Sequence, residues 1–148
     1  MLNDALTAIT HWFADQLAVL VSDVDSHPGR FTKAELERML LSNKAVRIAI
    51  ETAPGLTITG QGIHQARLLM AAYIICGDSS GVDRHKSALE VVEHIIGLLP
   101  YNRFDTTYLR SIDPKTITAE NLYSGEIDNR GIAMWGVSWE QTVTHQGN

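Results

Sequence analysis

The sequence has little cysteine and no long hydrophobic run. Cys76 is the only cysteine among 148 residues, so no internal disulfide can form and the fold does not depend on an oxidising compartment. The longest apolar stretch, residues 68–76, is far shorter than the roughly 20 residues that span a bilayer. The first residues also lack the basic and apolar regions of a signal peptide, so we expect neither a secretory leader nor a transmembrane segment.

An excess of positive charge is also missing. The formal net charge is −5, and Lys and Arg form no cluster, so we do not expect a basic surface that captures nucleic acid non-specifically. Zinc-finger spacing, a Walker loop and a G-x-G-x-x-G turn are absent as well. The composition, with 45% hydrophobic and 20% charged residues, is that of a globular chain with one core. We predict a single domain over 1–148 with a frayed tail at 143–148.

Two long amphipathic helices are predicted from apolar residues at helical spacing. The first covers 2–21, where six apolar residues form one stripe. The second covers 83–99 and ends before Pro100, which cannot continue a helix. Each helix has one face suited to packing on a sheet.

A short helix at about 33–41 is predicted from its start signals. Thr32 and Glu35 have the spacing of a capping box, in which each side chain satisfies an orphan backbone donor. Phe31 and Leu36 occupy the two positions of a hydrophobic staple.

The remaining periodic segments predict strands. Pro54 and Gly55 are interpreted as the end of the first strand, and 101–114 as an irregular connection. The predicted strands are 45–51, 64–76, 116–124 and 132–143, with a short additional strand at 57–59 left open. Together the elements predict an α+β fold. We expect a mostly antiparallel sheet of about four strands, with 64–76 central and with the long N-terminal helix and the second long helix packed on it.

The segment Gly77-Asp78-Ser79-Ser80-Gly81 matches the G-x-S-x-G nucleophile elbow of α/β-hydrolases. Ser79 would then be the nucleophile, and His85, His94 or His145 would supply the base. The helix does not start directly at the serine, however, and the βαβ alternation of a hydrolase sheet is absent. We therefore interpret the segment as a turn and keep a serine hydrolase as an alternative.

Two further candidates for chemistry are interpreted as structural. Asp23, Asp25 and His27 could offer ligands to a divalent cation, but three groups on a short segment are too few. Cys76 ends an apolar strand, which indicates a small buried hydrophobe and not a nucleophile. We therefore expect no metal, no cofactor and no enzymatic activity.

The last predicted strand contains two tryptophans with two interpretations. Trp135 and Trp139 lie on one face of the strand, where they can pack in the core or form part of a subunit interface. An uncovered strand edge would offer another route to assembly. With the residues of the preceding turn, the interface candidates are Trp135, Trp139, Tyr123, Asp128 and Arg130.

Several segments resemble the tail terminator, or tail completion, proteins of Mu-like contractile-tailed phages and prophages. The most specific are AENLYS at 119–124 and GIAMWGVSWEQ at 131–141. The two long helices, the short helix, the strand KAVRIAI at 44–50 and the strand at 68–77 also fit. These are packing patterns, and the resemblance covers most of the chain except 101–113.

The resemblance implies a structural protein of the virion, assembled in the host cytoplasm. It implies a homo-oligomeric ring, usually a hexamer, that caps the tail tube, holds the sheath and contacts the head-completion protein. DNA would pass through the lumen without specific binding, since six copies at −5 each carry a formal charge of −30. No catalytic residue, cofactor or membrane is needed. The alternative is a small intracellular binding module without a phage role.

Overall fold

The structure is a computed structural model that describes residues 1–39, 44–77, 83–122 and 131–145. They form an α+β fold, as predicted. In chain order the elements are α1 (Leu2–Gln16), β1 (Asp23–Ser26), α2 (Lys33–Met39), β2 (Lys44–Thr59), β3 (Gly62–Gly77), α3 (Arg84–Leu98), β4 (Thr118–Asn121) and β5 (Ile132–Thr144), with one turn of 3-10 helix at Pro114–Thr116.

The strands form one sheet in the order β1-β2-β3-β5-β4. The β2–β3, β3–β5 and β4–β5 pairs are antiparallel, whereas β1 runs parallel to β2. The sheet is therefore mixed and has five strands, one more than the four predicted. Three of its four pairings are antiparallel, in line with the expectation of a mostly antiparallel sheet. The additional strand, β1, has only four residues, three of them polar, so it gives no apolar alternation. β3 is the central strand, as its continuous apolar sequence predicted.

β2 continues through Pro54 and Gly55, so the prediction that these residues end it is wrong. The β2–β3 register shifts on both sides of Thr52 and after Thr57, and the irregularities absorb the proline. Gly55 is needed for close approach, because a Cβ there would lie 3.0 Å from Cβ of Arg67. The hairpin turns at 60–61, and the short strand left open at 57–59 is the end of β2.

α1 and α3 pack on the same face of the sheet and enclose the main core. α1 ends at Gln16, earlier than the predicted residue 21, although Leu17 and Val21 remain buried beyond it. The core is aromatic where α1 meets β5. Its rings belong to Trp12, Phe13, Phe104 and Trp139, with centroids 5.1–6.4 Å apart.

α2 packs on the opposite face of the sheet, where Leu36 and Met39 join a second, smaller core. A helix between parallel neighbours such as β1 and β2 is a crossover connection. The Thr32 half of the predicted capping box is present, since the amide of Glu35 donates to Oγ1 of Thr32 at 3.2 Å. The Glu35 carboxylate instead accepts from the Thr32 hydroxyl at 3.1 Å and bonds His27. Residues 40–41, which completed the predicted helix, lie outside the described residues.

At the C-terminal end the chain stays in the sheet longer than predicted. β5 runs to Thr144 and the side chain of Val143 is fully buried, so the frayed segment does not begin at 143. The amide of His145 also donates to the carbonyl of His64 at 2.9 Å. Residues 146–148 lie outside the described part of the chain.

Ile95 provides a test of the α3 packing. Its side chain is fully buried in the main core, and we expect Ile95→Ala to lower the free energy of unfolding by about 2–5 kcal/mol. Leu89, on the same helix, is 43% exposed, and Leu89→Ala should change stability far less. Urea denaturation of both variants would measure the difference, and equal losses would contradict the assigned helix face.

Asp83 caps α3 and provides a test that depends on pH. Its Oδ1 accepts from the amide of His85 at 2.7 Å, and this bond lowers the pKa of the Asp83 carboxyl below its usual 3.8. The charged form therefore stabilises the folded state above pH 3.8, and this contribution is lost as pH falls through the lower folded-state pKa. We expect Asp83→Ala to lower the melting temperature by a few degrees at neutral pH, and the difference from wild type to shrink in acid. Asp83→Asn, an uncharged cap, should remove that pH dependence.

Candidate assembly surface

The β2–β3 hairpin extends beyond the rest of the sheet. β1 pairs with β2 only from Ala45 to Ile48, and β5 pairs with β3 only as far as Gln65. We call residues 52–64, which project past β1, the hairpin arm. Its residues 52–57 pair with residues 65–69 of β3, which also pair with β5, and only 58–64 form a two-stranded ribbon beyond β5. The arm is thus ordered by strand pairing and is not a loose loop.

The arm exposes two large apolar side chains. Leu56 is 46% exposed and Ile58 is 69% exposed. They pair with Ala66 and Ile63, which contact the main core, so both lie on the face of the sheet that carries α1 and α3. An apolar surface of this kind on an ordered element is typical of a contact site for another protein.

One edge of the arm is open. Among the described residues, no strand pairs with the outer edge of β2 beyond Ile48. The segment 52–59 contains no charged residue, so only Pro54 and the irregular register protect it from pairing with another chain. The arm therefore combines exposed apolar groups with unpaired backbone.

The other edges of the sheet are better protected. The outer strands β1 and β4 have four residues each and carry charges, namely Asp23, Asp25 and Glu120. Short strands and charges are the usual protection against edge-to-edge association. The end of β5 is covered by the chain itself, since the amide of Arg110 donates to the carbonyl of Thr142 at 2.9 Å.

The two tryptophans have different environments. Trp139 is fully buried in the main core of the single chain, so its side chain is not available for contact with a partner. Trp135 is partly exposed and packs against the same core. The other interface candidates, Tyr123, Asp128 and Arg130, lie outside the described residues, and their role stays a prediction.

The candidate cation ligands Asp23, Asp25 and His27 lie along β1 and just after it. Asp25 accepts from the amide of Ser26 at 2.8 Å, and the other two are engaged with other residues. Asp23 forms a two-bonded ion pair with Arg47, each bond 2.9 Å long. His27 Nε2 bonds the carboxylate of Glu35, and Nδ1 accepts from the amide of Gly29 at 2.9 Å. Both ring nitrogens are thus used within the protein.

These contacts fasten α2 to the sheet. The bond to His27 lowers the pKa of the Glu35 carboxyl, and the imidazole stacks on Phe31 with 4.0 Å between centroids.

Within the described ranges no group of three or more His, Cys, Asp or Glu residues is arranged to hold a metal ion.

The proposed hydrolase elbow cannot be assembled from the described residues. Gly77 ends β3 and is buried, whereas Ser79 and the rest of the loop lie outside the described ranges. His85 and His94 are exposed on α3, and His145 follows β5. Cys76 is fully buried, and burial raises the pKa of its thiol to about 11, which keeps it protonated at neutral pH.

Sequence reasoning identified only part of the arm. The alternation Leu56-Thr57-Ile58-Thr59 is a period-2 strand signal, but Pro54 and Gly55 before it indicate the end of a strand, so 57–59 is predicted at most as a short separate strand.

No helix in the described part of the chain is long and apolar enough to cross a membrane. Comparisons with protein-family models and with curated proteins found no match to this chain.

Proposed function

We propose that this chain is a structural subunit of a phage tail, the tail terminator. Copies of the chain form a homo-oligomeric ring, a hexamer, that caps the tail tube and sheath and joins the tail to the head-completion protein. The single observation that supports this best is the hairpin arm, with Leu56 and Ile58 exposed beside an open strand edge.

A ring requires a heterologous interface, in which one surface of a subunit contacts a different surface of the next. The arm is suited to this role because it lies at one end of the sheet and projects past β1. Backbone pairing along its edge would add affinity, and the apolar side chains would fix the register. The charged edges at β1 and β4 disfavour the competing edge-to-edge contact, since Asp25 and Glu120 would add like charges to it.

The charge of the chain also suits a ring through which DNA passes. Six copies carry a formal charge of −30, and an acidic ring as a whole repels the phosphate backbone, which disfavours extensive binding of the genome to it. The likeness of the segments at 119–124 and 131–141 to tail terminators supports the same assignment.

Light scattering with negative-stain electron microscopy tests the proposal. We expect annular particles of six times the 16.3 kDa chain mass, either alone or on the ends of isolated contractile-tail tubes. A chain that stays monomeric and never decorates tube ends would instead favour the binding module. Labelling by a fluorophosphonate that disappears in Ser79→Ala would favour the hydrolase.

A further inference from the structure

The connection between α3 and β4 is irregular but firmly held. Phe104 anchors it in the aromatic part of the main core. Gln141, fully buried under it, donates to the carbonyls of Arg110 at 2.6 Å and Asn102 at 3.4 Å. The connection thus has a fixed shape although it contains no long helix or strand.

The backbone of this connection is strained. Tyr101, Phe104 and Asp105 have φ values of 61°, 52° and 56°, a region that non-glycine residues rarely adopt. Strain of this kind persists only where surrounding contacts impose it, and it is concentrated at functional sites.

The connection contributes Arg103, Arg110 and Ser111 to the lining of one open surface cavity of about 370 Å³. Arg103 is held in place because its Nε donates to the carbonyl of Leu109 at 2.9 Å. A guanidinium has five N–H donors, so several remain for a ligand.

The two charges are not neutralised by the protein. In the described ranges neither Arg103 nor Arg110 forms an ion pair with a carboxylate, whereas Arg47 and Arg67 do. The carboxylate of Asp113, three residues after Arg110, accepts from the amide of Lys115 at 3.0 Å. Two arginine side chains that line one cavity on a rigid backbone, with no carboxylate partner among the described residues, offer the charge and the N–H donors that an oxyanion binds.

We propose that Arg103, Arg110 and Ser111 form a binding site for a phosphate group. The two guanidinium groups donate to its oxygens, and the Ser111 hydroxyl supplies a further donor. The same chemistry is carried by free phosphate and by the backbone of DNA. The site does not depend on ring formation, so its test is separate from that of the proposed function.

Isothermal titration calorimetry of the full chain, at constant ionic strength in chloride, tests the site with inorganic phosphate and with a short DNA duplex. Arg110→Gln is the main variant, because no hydrogen bond from its guanidinium is found in the described residues. We expect it to weaken phosphate-group binding about tenfold or more without changing the melting temperature. Arg30→Gln removes the same charge from an exposed residue elsewhere and should bind as wild type does.

The two titrants distinguish the sources of the phosphate group. Binding of inorganic phosphate that is lost in Arg110→Gln and kept in Arg30→Gln supports the site and shows that the free ion suffices. The same pattern with the duplex alone supports it with the DNA backbone as the source. Absence of binding to both titrants, or equal losses in the two variants, would overturn the proposal.

Discussion

Trp139→Ala is expected to lower the free energy of unfolding by about 3–5 kcal/mol, because it removes a large, fully buried side chain. The indole contacts Phe13 and Phe104, with ring centroids 6.0 Å and 6.4 Å away. Its Nε1 also donates to Oε1 of Gln141 at 2.9 Å, so the loss leaves a buried amide oxygen without that donor. Urea denaturation followed by circular dichroism would measure the change.

Two variants separate packing from hydrogen bonding at this position. Trp139→Phe keeps most of the apolar contact but leaves Gln141 without the indole donor, so we expect a smaller loss of about 1–3 kcal/mol. Val19→Ala, at a fully exposed position, should change stability by less than about 0.5 kcal/mol. A loss in Trp139→Ala no larger than that in Val19→Ala would show that the tryptophan is not a core residue.

The parts of the fold that sequence predicted well are those governed by local periodicity. The stripe of α3 and the alternation of β5 depend on which face of one element is apolar, and both are confirmed. β3 was placed at the centre of the sheet because its residues are apolar on both faces. In each case the pattern of apolar residues close together in the sequence shows which face of the element is buried.

The parts that sequence missed depend on contacts between distant segments. β1 exists because Asp23 and its neighbours pair with a strand some 20 residues later, and Arg47 compensates the charge. Pro54 is tolerated in β2 because it lies at an open edge of the sheet. That this edge is open becomes apparent only once the order of the strands is known.

The same distinction applies to the candidate surfaces. Periodicity marks Leu56 and Ile58 as strand residues, but only the sheet topology shows that they lie past β1 and stay exposed. Arg103 and Arg110 are seven residues apart in a segment without periodicity, and the buried Gln141 that helps to position this segment comes from β5. Sequence reasoning therefore had no signal for the cavity between them.

If the chain assembles as proposed, Ile58→Asp is expected to abolish assembly into rings while leaving the fold intact. Ile58 is 69% exposed, so a charge there costs the single chain little. In the proposed ring position 58 would be buried, and a carboxylate there without a partner would weaken the binding free energy by about 2 kcal/mol or more for each copy of the interface. Because the contact repeats at every subunit, the losses accumulate and the ring should dissociate to monomers in light scattering.

Leu89→Asp is the matched control, since Leu89 is also apolar and is 43% exposed, but lies on α3 away from the arm. We expect this variant to assemble as wild type does and to melt at a temperature similar to that of Ile58→Asp. If Ile58→Asp still forms rings and Leu89→Asp does not, the interface lies on the helical face and not on the hairpin arm. If neither variant forms rings although both melt at the wild-type temperature, the ring uses both surfaces. A heterologous contact between the arm of one copy and α3 of the next would have this property.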